Sequence, residues 1–146
     1  MDTRNLRDLY DRDQRREVQF HGVTTDRLPH LTRVRENSGV FNQIVYADLT
    51  AATADDAITE QIAFFQGHHQ RFEWKYFTHD RPADMLDRLR AHGFVIGDAE
   101  ATLVLDLETA PADLFDTKGL DVRRITDAGQ VHHVLSVQSR VFGGVD

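Results

Sequence analysis

Histidine is the most conspicuous chemical resource of this chain. His68 and His69 are adjacent, as are His132 and His133, and His79 and His92 lie near Glu73 and Asp80. A zinc cluster can be drawn from these side chains. Adjacent residues on a helix point about 100° apart, however, and rarely share one ion. None of the spacings matches a zinc signature. The histidines therefore read as surface residues at helix ends, and no metal is expected. His132 and Ser136 would share a helix face, but a Ser–His pair acts only with an orienting acid and oxyanion donors, and nothing here fixes either. Trp74 and Tyr76 could stack on a base, yet in a sheet strand such aromatics belong to the core. Asp84 and Asp87 can pair with Arg88 or Arg90 across a solvated helix face. The chain has no cysteine, which excludes thiolate zinc sites, cysteine nucleophiles and a disulfide scaffold.

The elements that would position these residues announce themselves through periodicity and end signals. Thr53 followed by Asp56 is a capping-box pattern, and Ile58, Ile62 and Phe65 recur on one helix face. With Gly67 as a left-handed stop, the spacing predicts a helix over 54–66. Asp80 and Pro82 mark the entry of a second helix over 82–92, with Met85, Leu86 and Leu89 on its buried face. Gly93 ends it, and Phe94 is placed to fold back on its last turn in a Schellman motif. Between the two helices, RFEWKYFT alternates like a strand. Val40 to Tyr46 is a β-branched and aromatic run and predicts another. After the second helix, ATLVLDL is apolar on both faces, as an interior strand would be.

Residues 40–107 therefore read strand, helix, strand, helix, strand, with right-handed crossovers wherever strands run parallel. Residues 108–119, containing Pro111 and Gly119, read as a linker with one helical turn. The chain then starts again with a strand, LDVRRIT. Thr126 caps a further helix carrying Val131, Val134, Leu135, Gln138 and Val141, and Gly143 and Gly144 end it. A strand and helix alone cannot close a core. They must pack on the preceding block or belong to a domain that continues. The N-terminal stretch Arg4–Arg16 interleaves arginines with Asp8, Asp11 and Asp13, and its stripe of Leu6, Leu9 and Tyr10 predicts a solvated helix lying on the body.

The 146 residues suffice for one domain, and 40% hydrophobic content argues against disorder. The net charge of −7 is uneven, because residues 36–118 hold 6 basic and 15 acidic side chains. Such a surface gives no electrostatic purchase to nucleic acid or an anionic membrane. No apolar run approaches a membrane span, and the first residues hold no apolar stretch for export, so a cytoplasmic protein is expected.

The order of these segments carries a resemblance. FNQIVYADLT, ADDAITEQIAFF, FEWKYFTHDRPADMLDRLRAHGF and ATLVLDL together resemble the N-terminal region of two-part GNAT-type N-acetyltransferases. In that family a degenerate first half-domain precedes a catalytic domain. RPADMLDRLRAHGF is similar to the family's late helix ending in Gly-Phe, and LDVRRITDAGQVHHVLSVQSRVF to the opening strand and helix of a complete GNAT domain. The likeness spans roughly residues 40–142.

The resemblance implies an α/β fold, a mixed twisted sheet with flanking helices. Residues 1–107 would be the degenerate domain, 108–119 the linker, and 120–146 the start of the catalytic domain. It implies acetyl-CoA as the donor for a longer parent. The acceptor would be an amine, either a small molecule or a protein N-terminus or lysine. Self-association as a homodimer is a further expectation, and Gln138 and Phe142 are the implied acceptor-binding residues. One departure matters. Family members hold the CoA pyrophosphate on a glycine-rich turn at a helix N-terminus, whereas ADLTAATADD has no glycine and no basic residue. Asp55 and Asp56 would stabilise the helix and repel an anion there. The fragment is therefore expected to bind no acetyl-CoA and to be inactive alone. The alternative is a non-catalytic acetyltransferase-like module for interaction or dimerisation.

Overall fold

The computed structural model of the chain describes residues 2–36, 41–116 and 118–142. The protein is mixed α/β, a four-stranded mixed sheet with flanking helices. It divides into two units, residues 1–98 and 99–146.

The first unit opens with helix α1 (Thr3–Tyr10), which widens into a π-helical segment, Asp11–Arg16. Of the predicted stripe, Leu6 and Tyr10 are half-buried and Leu9 is exposed, with the Tyr10 ring 5.8 Å from that of Phe77. Strands β1 (Thr24–Leu28) and β2 (Leu31–Arg35) follow as an antiparallel hairpin. Periodicity does not reveal this hairpin. β1 is an edge strand with polar residues on both faces, and β2 buries Thr32 and Arg33 through polar partners. Strand β3 (Asn42–Ala47) pairs antiparallel with β2. It covers most of the predicted 40–46, and Val40 lies outside the described residues.

Helix α2 (Ala54–Gly67) then returns the chain to β4 (Glu73–Trp74), which runs parallel to β3. The expected strand–helix–strand unit is present, but the second strand is two residues long rather than RFEWKYFT. After Lys75 N–H donates to Ile44 O, the two segments part and meet again only at an isolated parallel bridge between Asp48 and Arg81. Helix α3 (Met85–Ala91) completes the unit. It starts at Met85, not at Pro82, because the Asp80 carboxylate is turned to other partners. Its end matches the expectation: Phe94 N–H donates to Leu89 O and Gly93 N–H to Arg90 O, both 3.0 Å, with Gly93 at φ +86°. These are the two bonds of a Schellman motif.

α2 corrects two expectations. Thr53 makes no side-chain cap. Its hydroxyl is instead engaged with Thr50, accepting from the Thr50 N–H at 3.0 Å, so no capping box forms with Asp56. Nor does Gly67 supply the left-handed stop. The residue at positive φ is His69, at 54°. Gln70 N–H donates to Phe65 O and His69 N–H to Gln66 O, so the Schellman turn is built two residues later than the glycine, on a residue with a side chain.

Both faces of the sheet are covered. Successive strand residues point to opposite sides, and Ile44 and Val45 duly enter different clusters. On one side Leu31, Ile44 and Trp74 pack against Ala54, Ile58 and Phe65 of α2 and Met85 and Leu89 of α3. Phe65, Phe72, Phe94 and Trp74 extend this cluster through ring contacts, with Phe65 and Phe72 stacked at 4.4 Å. On the other side Val34 and Val45 pack against Val18, which follows the π-helical segment. Trp74 and Tyr76 are thus core aromatics, as expected.

The second unit holds two single turns of 3-10 helix, Ala112–Phe115 and Ala128–Gln130, and helix α4 (Val131–Phe142). Neither ATLVLDL nor LDVRRIT forms a strand. An interior strand exists only through neighbours on both edges, and the sheet ends at four strands. Leu103 is 90% exposed, and Val104, Leu105 and Leu107 are exposed with it. The entry to α4 is capped by Asp127, which accepts from Gly129 N–H at 2.8 Å, not by Thr126. Gly143, Gly144 and Asp146 lie outside the described residues. Among the described residues no helix is long and apolar enough to cross a membrane.

Candidate functional site

The most highly organised polar assembly lies where the Asp11–Arg16 segment crosses the gap between β3 and the chain beyond β4. Arg15 is buried, its side chain only 2% exposed. Its Nε donates to Val45 O at 2.9 Å, and Nη2 donates to both Asp80 oxygens, at 2.8 and 2.7 Å. Nη1 donates to Asp11 Oδ1 at 2.7 Å. The guanidinium lies over the Phe77 ring at 4.0 Å, adding a cation–π contact to a desolvated cation. Asp80 is fixed from behind by the Phe77 N–H at 3.0 Å. A charge-assisted contact of this kind, with Nη2 shared between both carboxylate oxygens, is stronger than a neutral hydrogen bond.

Asp11 passes the arrangement on. Its second oxygen, Oδ2, lies 2.7 Å from His79 Nε2. A carboxylate can only accept, so in this contact Nε2 is the donor. Asp80, Arg15, Asp11 and His79 therefore form one chain of contacts joining residues up to 68 positions apart in sequence. A histidine oriented by a carboxylate at one nitrogen has the form of a general acid–base group.

These residues line a cavity of about 120 Å³ with Tyr46, Ala47, Asp48 and Arg81. It sits at the carboxyl ends of the parallel strands β3 and β4, the position where open α/β sheets present crevices. Arg16 braces one wall: its Nη2 donates to the Tyr46 hydroxyl at 2.7 Å. That bond holds the Arg16 guanidinium above its already high ordinary value, reinforced by charge interaction and opposed by some burial.

The other candidate region is the β3–α2 junction. Asp55, in the first turn of α2, pairs with Arg88 and lies 3.0 Å from His92 Nε2, both contributed by the α3 segment. Arg88 also donates to Asp84 at 3.0 Å, and that bond holds the Asp84 carboxyl below its usual range. The helix N-terminus therefore carries a carboxylate already engaged by Arg88 and His92. Arg90 pairs with Asp87 as the spacing suggested.

Gln138 is exposed on α4. Phe142 closes the same helix, and its side chain lies outside what the structure describes. His68 and His92 sit at helix ends, His68 with Nδ1 2.7 Å from Phe64 O. His132 Nδ1 lies 2.7 Å from Gly129 O. Among the described residues, no group of three His, Asp or Glu side chains is placed to hold a metal ion.

Sequence reasoning treated Arg15 as one of several solvated arginines and Asp80 as a helix-entry residue. Only the Asp11–Arg15 spacing of four was a local signal. The 65-residue link to Asp80 leaves none.

No family model matches the chain, and neither a curated protein nor a solved structure matches it.

Proposed function

We propose that this chain is the N-terminal part of a GNAT-like N-acetyltransferase that transfers an acetyl group from acetyl-CoA to an amine, with residues 1–98 as a half-domain that does not itself bind CoA. The carrying observation is the junction between β3 and α2. It stands in a strand–helix–strand unit with parallel strands, where the resemblance implies a phosphate-binding turn, and there Asp55 is closed off by Arg88 and His92. A pyrophosphate would have to displace these partners and then face the freed carboxylate, which repels it. In GNAT-type transfer most of the catalysis is positioning of the amine and stabilisation of the oxyanion. The reading assigns both to a longer polypeptide. Exposed Leu103, Leu105 and Leu107 favour the second reading, an acetyltransferase-like interaction module, since several large apolar side chains left in solvent within five residues suit contact with another chain.

Thermal melting with acetyl-CoA tests the junction directly. A ligand at about 100 times its Kd adds about 2.7 kcal/mol, so binding at millimolar ligand would raise the Tm by several degrees. No rise is expected for residues 1–146, and a saturable rise overturns the closed junction. Release of CoA thiol in the presence of amines then separates the two readings. The transferase reading expects it from a longer polypeptide that contains this chain. A longer polypeptide that releases none, yet self-associates, supports the module.

A further inference from the structure

The cavity at the ends of β3 and β4 carries one carboxylate, Asp48, which Arg16 meets only through its charge, and one guanidinium, Arg81, neither of them hydrogen-bonded or ion-paired among the described residues. Asp48 and Arg81 face each other across the parallel bridge that closes the gap between the two segments. Both are exposed and both line the cavity. Neither side chain has a hydrogen-bond or ion-pair partner among the described residues. The remaining acids and the other guanidinium on the wall are committed: Arg15 to Asp80, and Asp11 to Arg15 and His79. Opposite charges held beside one cavity without pairing leave room for a ligand that meets both.

We propose that this cavity binds a small zwitterion of free α-amino-acid type, its ammonium on Asp48 and its carboxylate on Arg81. A guanidinium suits a carboxylate through its planar fork of donors, and a compact ammonium suits a single carboxylate. The volume of about 120 Å³ suits a ligand with a small side chain. A ligand with one charge satisfies one group and leaves the other only solvated, so both halves are required for affinity. The site stands on the cavity alone, and failure of the transferase reading leaves it untouched.

Amide-resolved NMR titration of the chain tests it, using glycine, L-alanine and L-serine as probes, with methylammonium and acetate as half-ligands. Saturable shifts are expected at residues 46–48 and 79–81. Loss of one charge-assisted contact in Asp48→Asn or in Arg81→Gln weakens binding about tenfold or more. Each half-ligand binds weaker by a similar factor. Both residues are exposed, so amide positions remote from the cavity should stay unchanged and certify the fold. The proposal is overturned if none of the three amino acids gives saturable shifts at about 20 mM. It is equally overturned if both variants bind as the parent does, or if a half-ligand binds as well as the zwitterion.

Discussion

Replacing Asp80 with alanine tests whether the first sixteen residues are held to the sheet by a buried ion pair. In Asp80→Ala, the Nη2 of Arg15 and the Phe77 N–H lose their acceptor together. Removing one partner of a buried pair costs about 3–5 kcal/mol, because the other charge is left in a poor solvent. Asp11 still faces the guanidinium and is itself partly solvated, so the lower end, about 3 kcal/mol, is expected. At about 4–8 °C per kcal/mol for a domain of this size, the Tm should fall by about 12–24 °C. Urea titration should show the same loss as a lower midpoint at unchanged m. The double variant Arg15→Met/Asp80→Ala decides the cause: it should be more stable than the sum of the single losses by about 2 kcal/mol. A loss below about 1 kcal/mol in Asp80→Ala, the range of an exposed ion pair, would refute the reasoning. So would strict additivity in the double variant.

The two Schellman turns make opposite demands on substitution. His69→Gly should stabilise the unit by about 1 kcal/mol, since a left-handed residue with a Cβ is strained. Gly67→Ala should add about 0.5–1 kcal/mol, because Gly67 lies within α2 with open space around its Cβ position. Gly93→Ala should cost about 1 kcal/mol at φ +86°; urea midpoints read all three. Asp26 gives a pH signature. Burial alone would raise its carboxyl, but hydrogen bonds from Arg35 and Arg33, and their charges, outweigh this and hold it below the usual 3.8. Its folded value is the lower one, so its contribution is complete above the unfolded value and is lost as pH falls through the folded value. The stability gap between wild type and Asp26→Asn should stay constant above about pH 5 and close steadily below about pH 4. A gap that widens on acidification contradicts the assignment.

What the sequence disclosed, and what it hid, follows one physical division. Ile58, Phe65, Met85 and Leu89 were legible because apolar spacing along a helix is a local record of which face is buried. The Gly93-Phe94 stop was legible because a left-handed residue and a following aromatic are a local signature. The β1–β2 hairpin was not, since β1 is an edge and β2 buries Arg33 against Asp26 and Gln61, with Phe64 beneath the guanidinium. Its sequence pattern is therefore polar where the structure is buried. The strand expected over 101–107 failed for the converse reason: the apolar alternation is present, but a strand also needs an edge to join. The Arg15 assembly is the extreme case. Each member is an ordinary charged residue in its own neighbourhood, and only the fold makes them one group.

The distance along the chain between Arg15 and Asp80 also orders events during synthesis. The segment carrying Arg15 emerges from the ribosome well before its anion, which is made 65 residues later. Until then, a guanidinium destined for the interior can only stay hydrated. This segment, translated before its seat, is thus locked down after it, and the central sheet with its two helices must supply the seat that receives it.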